Sequence, residues 1–555
     1  MNVNEFHKIF EMIVRVTSDK GDNESLSHAL SFLFQRLEQL EEENARLQAE
    51  NQRLRDEINR LKGEHGKPDI RGNTRKSRDI SSEKERTQRE PQQKKSKAKK
   101  HNIIIDRVEV CHVDKAELPN DAEFKGYESV IIQEILIHTD NVEYKKEVYY
   151  SASEKTCYVG KLPASITGEF GPGVKSLVCT LKHVANMSEP KIAEFFANFG
   201  LIISQSTISR ILTKEQDDVH QEKAAIFLAG LHSSRYQQID DTVIRVNGQN
   251  QYAQIVSNPY YTAYFTVPHK NRLTVLDILL CGQERTYCFN DEALALLEEF
   301  RVSQTLMARL RELTHDAILS ESEMLTVLEA LFPDPSKGKN TRVRIMEAGA
   351  IASYHQSDEI PVVEVLLSDD APQFKKLTEE QALCWVHEGR HYKKLTPIIP
   401  EHRADLENFL ERFWEYYGKL VEYKKHPTAE QAATLSVEFD TLFSTPTTYD
   451  SLAERIKKSR MKKDELLAVL RYSELPLHNN NSELGARVEK RRQDVSLQLK
   501  TQEGTEAKDA FQTITQTARK LGVSAYAYIY DRISKNFSMP SLATLIEQRV
   551  SPQIE

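Results

Sequence analysis

The sequence has few cysteines, and they are not paired. Six cysteines are scattered over 555 residues, at positions 111, 157, 179, 281, 288 and 384, and no two of them form a Cys-x-x-Cys motif. This spacing argues against a disulfide framework and against a standard zinc ribbon. It suits a protein of the reducing cytoplasm.

Long apolar runs are also missing. No run approaches the roughly 20 residues that span a bilayer, and charged residues interrupt the first apolar residues at the N-terminus, where a secretory signal would lie. We therefore expect no membrane segment. With 39% apolar and 28% charged residues, the composition is typical of a globular protein. Because 555 residues are too many for one core, we expect several domains.

Charge is distributed unevenly. The net charge is −8, but residues 62–100 hold 14 Lys and Arg against 6 Asp and Glu. This stretch contains several glycines and prolines and lacks an apolar pattern, which predicts a flexible basic linker. Such a linker could neutralise phosphates without reading sequence. A solvated tether explains the same composition, and both interpretations can hold together.

A seven-residue leucine repeat precedes this linker, within a predicted N-terminal helical region of residues 1–61. The repeat predicts a coiled coil over 26–61 that joins two copies of the chain, with two Asn in its core that favour a parallel dimer. A single surface helix is the alternative. The core positions are Leu26, Leu30, Leu33, Leu37, Leu40, Asn44, Leu47, Asn51, Leu54, Ile58 and Leu61.

Two small domains are predicted next. Residues 101–165 contain runs typical of strands, at 102–110, 129–138 and 143–151, and indicate a small β-rich domain. Residues 166–230 indicate helices with a break at Gly200, which is a helix-turn-helix pattern. The side chains at the start of its second helix could face a DNA major groove, although a plain helical hairpin fits as well. They are Gln205, Ser206, Thr207 and Arg210.

Three acidic residues stand out in the second half of the chain. Asp240 lies in a strand-like run, Asp369 follows the apolar run 362–367, and Glu483 begins a predicted helix. Three carboxylates gathered from distant positions suit a two-metal phosphoryl-transfer site, because Mg²⁺ prefers oxygen ligands. Asp241 and Asp370 compete for the same roles. Since successive strand residues point to opposite faces, one Asp of each pair can face the site, and periodicity does not show which.

The helix that begins at Glu483 is basic further along. Some of its cations recur on the face of Glu483 and could hold DNA phosphates, although an ordinary charged helix face is the alternative. The basic residues are Arg487, Lys490, Arg491 and Arg492. Around them we predict a catalytic core in two parts, residues 231–397 and 476–555, which an α-helical insertion at 398–475 separates.

These motifs, taken in order, resemble the insertion-sequence-66 family of bacterial DDE transposases. The matching stretches are 239–242 (Ile-Asp-Asp-Thr), 368–371 (Ser-Asp-Asp-Ala), 384–387 (Cys-Trp-Val-His) with Arg390, 479–483 (Asn-Asn-Asn-Ser-Glu), and a tail from Thr501 to Tyr528. The resemblance implies an RNase H-like core in a multidomain α/β protein. It also implies that Asp240, Asp369 and Glu483 are the catalytic, metal-binding residues, and that Trp385, His387 and Arg390 belong to the active-site surroundings.

The function implied is DNA transposition. The family pattern predicts Mg²⁺, with Mn²⁺ able to substitute, double-stranded DNA as partner (terminal inverted repeats and target DNA), and strand cleavage followed by strand transfer in the cytoplasm at the nucleoid. A non-catalytic DNA-binding regulator, or a domesticated relative, is the alternative. Whether accessory proteins encoded by the element take part stays open.

Overall fold

The computed structural model describes most of the chain from residue 103 onward and short parts before it. The described residues are 40, 43–44, 46–55, 58, 103–114, 122–135, 137–163, 166, 168–214, 216–314, 317–334 and 336–550. Residues 46–55 are helical, and Leu47 and Leu54 on this helix are half-exposed. The rest of the predicted coiled coil and the basic linker at 62–100 lie largely or wholly outside the described residues.

The predicted β-rich segment forms less structure than expected. Its described part contains the antiparallel pair β1 (Val148–Ser151) and β2 (Thr156–Val159). The strands expected over 102–110 and 129–138 are wrong for the described residues there, none of which is in a strand. Their β-branched side chains are exposed, as at Val108 and Ile132. A strand needs a ladder partner and a surface to cover, and local propensity alone supplies neither.

Four helices follow. They are α1 (Pro172–His183), α2 (Glu189–Ala197), α3 (Gln205–Thr213) and α4 (Asp217–His232). The turn between α2 and α3 contains Gly200 at φ +74°, a left-handed conformation that favours glycine. The Ser204 hydroxyl caps α3 by accepting the Thr207 N–H at 3.1 Å. Ile208 and Leu212 are the buried side of this helix.

A five-stranded mixed sheet lies at the centre of the chain. Its strands are β3 (Tyr236–Val246), β4 (Gln249–Ser257), β5 (Thr262–Val267), β6 (Val365–Ser368) and β7 (Glu380–Leu383), in the spatial order β5-β4-β3-β6-β7. The first three are antiparallel neighbours, whereas β6 pairs in parallel with both β3 and β7. The Asn247-Gly248 turn joins β3 to β4 with both residues at positive φ, as a type I′ hairpin turn requires.

Helices fill the chain between β5 and β6. They are α5 (Arg272–Leu279), α6 (Asp291–Glu299), α7 (Gln304–Thr314), α8 (Glu321–Leu331) and α9 (Lys339–His355). They share one apolar core with α1–α4 and with one side of the sheet. The apolar spacing within residues 290–335 is typical of helices, and α6, α7 and α8 agree with it, whereas no pattern predicts α9.

A second block of helices follows β7. It contains α10 (Trp385–Lys393), α11 (Pro400–Tyr423), α12 (Ala429–Leu442), α13 (Asp450–Arg460) and α14 (Lys463–Leu466). Its core is separate from the first and rich in aromatic rings, among them Trp385, Phe413 and Phe439. The sequence pattern indicated helices here, and the structure agrees.

The chain ends in four helices. They are α15 (Asn480–Val495), α16 (Gln502–Lys520), α17 (Ala525–Ile533) and α18 (Leu542–Val550). Helix α15 packs against β3 and β4, and α16 packs against β5 and α4. Among the described residues, none of the helices combines the length and the apolar character needed to cross a membrane.

Candidate active site

Asp240 and Asp369 follow the paired residues of the parallel strands β3 and β6. Gln238 in β3 pairs with Leu367 in β6, and each aspartate lies two residues further along its own chain. Burial raises the pKa of Asp240 to about 7, and the nearby Asp369 and Glu483 carboxylates act in the same direction. Burial also raises the pKa of Asp369. Both side chains are half-buried, and because each has a raised pKa, a bound cation would stabilise their ionised forms.

Asp241 and Asp370, the residues next to Asp240 and Asp369, are bound by lysines. Asp241 accepts hydrogen bonds from Lys270 Nζ and Gln373 Nε2, both at 2.7 Å. Asp370 lies 2.7 Å from Lys375 Nζ and 2.5 Å from Lys462 Nζ. Although burial opposes it, these lysines hold the pKa of Asp370 below its usual range. Periodicity did not show which aspartate of each pair faces the site. Because lysines bind Asp241 and Asp370, Asp240 and Asp369 are the better candidates for metal ligands.

Glu483 reaches the same place from the first turn of α15. The Asn479 side-chain amide donates to the Ile239 carbonyl at 2.7 Å, and the Asn481 N–H donates to Gln238 Oε1 at 3.1 Å. The start of α15 is therefore attached to the strand that carries Asp240. The Asn479 side chain makes no capping bond. Its Nδ2 donates to β3, and its Oδ1, the atom that could accept a capping N–H, has no hydrogen-bond partner in the described part of the chain.

A glycine allows α15 to lie close to the sheet. A Cβ on Gly485 would come within 2.7 Å of Ile255 Cγ2 in β4, far closer than two carbon atoms tolerate. The Tyr264 hydroxyl donates to the Gly485 carbonyl at 3.3 Å. Because Gly485 follows Glu483 by two residues, this close approach sets how far the Glu483 side chain extends over the strands.

One carboxylate oxygen of Glu483 has a hydrogen-bond partner among the described residues and the other has none. Arg390 Nη2 donates to Glu483 Oε2 at 3.3 Å, and Arg390 Nη1 lies 2.9 Å from His387 Nε2. The other oxygen, Oε1, is buried without a hydrogen-bond partner, as is His387 Nδ1, which lies 3.7 Å from it. Burial lowers the pKa of His387, so its ring is neutral near pH 7. Arg487 Nη2 is 3.8 Å from Glu483 Oε2.

Trp385 and Cys384 have different surroundings. Trp385 is fully buried, and its indole N–H donates to the Leu466 carbonyl at 2.8 Å, so it belongs to the aromatic core of the helical block. Cys384 was not among the predicted site residues. Its Sγ, a His387 ring nitrogen and a Glu483 oxygen lie within 4.8 Å of one another. The three-residue spacing from Cys384 to His387 was the signal in the sequence for this grouping.

The predicted DNA-contacting residues differ in their exposure to solvent. Gln205, Ser206 and Arg210 are exposed on α3, with Thr207 half-buried. Arg487, Lys490 and Arg491 are exposed on α15, and Lys490 Nζ donates to the Val243 carbonyl at 2.8 Å.

The prediction that Arg492 contacts DNA is wrong. Its side chain is buried and donates to Glu489 Oε1 at 2.6 Å. Lys508 Nζ lies 3.5 Å from the other oxygen of Glu489. On the periodicity of α15, Arg492 belongs to the face that carries Glu489. This face packs inward, away from solvent.

The donor set fits a hard divalent cation. Asp240, Asp369 and Glu483 offer carboxylate oxygens, the ligands that Mg²⁺ prefers. The buried and unpartnered Glu483 Oε1 and the raised pKa of Asp240 are both features that a bound cation would relieve.

Comparisons with known proteins identify the family. Residues 348–507 match the model described as "Transposase IS66 family", a span that includes Asp369, His387 and Glu483 but not Asp240. The "Uncharacterized protein y4jO" of Sinorhizobium fredii (strain NBRC 101917 / NGR234) is 31% identical over 305 residues, which cover 55% of this chain and 94% of that protein. The motif order and these matches agree, and the chain belongs to the IS66 transposase family.

Proposed function

We propose that this protein is a DDE transposase that binds insertion-sequence ends and catalyses Mg²⁺-dependent DNA strand cleavage and strand transfer. One observation carries the proposal. Asp240 and Asp369 each lie two residues beyond the β3–β6 pair Gln238–Leu367, and the Asn479–Ile239 hydrogen bond attaches the helix of Glu483 to β3. These observations support a convergence of three carboxylates from three distant segments near the C-terminal end of β6.

The sheet supports an RNase H-like interpretation of the core. Three antiparallel strands, followed in space by two that run parallel to the first, make up the order β5-β4-β3-β6-β7. We assign this core to residues 231–397 and 476–555, with the helical insertion at 398–475. On this assignment the insertion lies between the second and third carboxylates, as the family pattern implies.

Each part of the site has a distinct chemical task. Asp240, Asp369 and Glu483 would hold two Mg²⁺ ions, which activate the attacking oxygen and stabilise the leaving oxygen of the phosphodiester. Lys270 and Gln373 bind the Asp241 carboxylate in the middle of β3 and so keep it directed away from the metal ligands. Arg390, half-buried beside Glu483, orients that carboxylate and adds positive charge where a phosphate would bind.

DNA binding is assigned to three regions. The exposed face of α3, with Gln205, Ser206 and Arg210, would enter a major groove as the second helix of a helix-turn-helix. Arg487, Lys490 and Arg491 would contact the backbone near the cut, and the basic linker would add contacts without base selectivity. The half-exposed Leu47 and Leu54 fit a dimer joined through residues 26–61, which would hold two ends together.

The test is a cleavage and joining assay on DNA that carries the element's own ends. We expect Asp369→Asn to abolish Mg²⁺-dependent nicking and joining while end binding persists. Its neighbour Asp370→Asn is the matched control and should retain activity, since Asp370 is bound to Lys375 and Lys462. Equal activity in wild type and Asp369→Asn contradicts the proposal.

Two further outcomes separate the alternatives. End binding without cleavage in any divalent metal, with the element's accessory proteins supplied, favours a non-catalytic regulator. Cleavage without joining, even on precut ends, favours a simple nuclease.

A further inference from the structure

Three metal-binding atoms from two helices converge beside the proposed carboxylate cluster. Cys384 Sγ, a ring nitrogen of His387 and a carboxylate oxygen of Glu483 all lie within 4.8 Å of one another. His387 Nδ1 and Glu483 Oε1 are 3.7 Å apart, and both atoms are buried without a hydrogen-bond partner. Buried polar atoms left unpaired cost free energy unless a ligand lies between them.

Main-chain contacts hold the three residues in place. Cys384 is the N-cap residue of α10, and His387 follows it by three positions, so one helical turn sets both side chains on the same face. The Asn479 N–H donates to Cys384 Sγ at 3.3 Å, and the Trp385 N–H donates to the Leu477 carbonyl at 3.0 Å. These bonds join the start of α10 to the segment that leads into α15.

We propose that Cys384, His387 and Glu483 bind a thiophilic divalent cation such as Zn²⁺, and that this cation inhibits the enzyme by taking Glu483 away from Mg²⁺. The inhibitory part rests on the proposed function, in which Glu483 is one of three Mg²⁺ ligands. The binding part does not.

Ligand chemistry sets the selectivity. A thiolate, an imidazole and a carboxylate form a set that Zn²⁺ favours, whereas Mg²⁺ takes oxygen ligands. In a tetrahedral zinc site neighbouring ligand atoms are about 3.5 Å apart, so separations of up to 4.8 Å have to close by at most about 1.3 Å. On binding, the Cys384 S–H bond breaks, an Sγ–metal bond forms, and the proton leaves to solvent. Water would complete the coordination.

Arg390 opposes this binding. An arginine side chain only donates hydrogen bonds, so the contact of Arg390 Nη1 with His387 Nε2 at 2.9 Å places the ring proton on Nδ1. Metal binding at Nδ1 requires that this proton move to Nε2 and that Arg390 turn away. Arg390 also donates to Glu483 Oε2. Removal of Arg390 should therefore tighten the soft-metal site.

The test uses Co²⁺ as a spectroscopic probe on the full chain. The exposed Cys111 and Cys157 are replaced by Ser to remove competing thiols. We expect one equivalent of Co²⁺ to give a thiolate-to-cobalt charge-transfer band that Zn²⁺ displaces. The band should disappear in Cys384→Ser, and the affinity should fall at least about 10-fold in His387→Asn and Glu483→Gln and rise in Arg390→Ala.

Matched controls separate this site from others. The buried Cys288, replaced by Ser, should leave the band unchanged, and so should Asp240→Asn and Asp369→Asn. Absence of the band in a folded wild-type chain, or a band that survives Cys384→Ser, overturns the proposal. Because absorbance needs no catalysis, failure of the transposase proposal would not alter this result. Where Mg²⁺-dependent cleavage is present, Zn²⁺ should inhibit it less strongly in Cys384→Ser.

Discussion

The Asn479 side-chain amide donates a hydrogen bond to the Ile239 carbonyl at 2.7 Å, and Asn479 itself is fully buried. Ile239 immediately precedes Asp240, and Asn479 lies four residues before Glu483. This bond therefore attaches a side chain at the start of α15 to the backbone of β3, and so links two segments that carry proposed metal ligands. Loss of this hydrogen bond should mainly change the distance between Asp240 and Glu483.

We expect Asn479→Ala to lower Mg²⁺-dependent DNA cleavage by about 10- to 100-fold, the usual effect of a residue that orients a metal ligand. End binding should be unchanged, which a gel-shift or anisotropy measurement checks. Asn480→Ala is the control, because it keeps the main-chain N–H that Asn480 donates to His478. Equal losses in the two variants would show that the Asn479 bond has no special role.

Gly485→Ala should destabilise the protein. Its new Cβ would lie 2.7 Å from Ile255 Cγ2, so α15 or β4 must shift, at a cost of about 1–3 kcal/mol in the free energy of unfolding. Gly418→Ala is the matched control, since a Cβ on this helical glycine meets no atom within 4 Å. There alanine should stabilise by roughly 0.5–1 kcal/mol. Denaturant unfolding shows whether each substitution lowers or raises the free energy of unfolding.

Adjacent arginines on α15 should behave differently. Arg492→Ala removes a buried partner of Glu489 and should cost about 3–5 kcal/mol of stability. Arg491 is exposed, so Arg491→Ala should leave stability unchanged, weaken DNA binding, and reduce the salt dependence of binding by about one counterion. Unfolding curves and DNA affinity at several salt concentrations distinguish them. A weakened affinity with unchanged stability in Arg492→Ala would mean that Arg492 is accessible to DNA.

The stability of the metal-free chain should depend on Asp240 and pH. Burial raises the pKa of Asp240 to about 7 in the folded chain, against about 4 when unfolded. Folding therefore favours the protonated carboxyl, and this contribution is complete below about pH 4 and lost as pH rises towards 7. In chelator, Asp240→Asn should be as stable as wild type at low pH and more stable at pH 8, by roughly 4 kcal/mol at most.

Mg²⁺ should reverse this difference by stabilising wild type at pH 8 and not the variant. Asp241→Asn should instead lose stability, because it weakens the bond to Lys270. Thermal unfolding at pH 5 and 8, with and without Mg²⁺, measures all of these effects. A gap between wild type and Asp240→Asn that shrinks as pH rises would contradict the assigned environment.

Sequence patterns indicated some of the local elements of the core. The strands at Tyr236–Val246, Gln249–Ser257 and Thr262–Val267 lie between turn residues that can be recognised without a structure. Helix α9 was not predicted, because it is buried on several sides and therefore lacks an amphipathic pattern. The role of Arg492 could not be predicted either, since its environment includes Lys508, a residue of another helix.

The candidate site was only partly visible in the sequence. The sequence indicated three carboxylates, one in a strand, one after a strand and one at a helix start. The choice between Asp240 and Asp241, however, depends on Lys270 and Gln373, which reach Asp241 from other segments. The proximity of Cys384 to Glu483 could not be predicted either, because it depends on the contact between the start of α10 and the segment that leads into α15. Such contacts between distant segments arise from packing, which local periodicity does not encode.

The central claim is that Asp369 is a ligand of a catalytic metal, and Asp369→Cys with metal rescue tests it most directly. A thiolate binds Mg²⁺ poorly and binds the softer Mn²⁺ better. Under reducing conditions, we expect Asp369→Cys to be inactive in nicking and joining with Mg²⁺ and partly active with Mn²⁺, while Asp370→Cys works with both. Full activity of Asp369→Cys with Mg²⁺ would contradict the claim.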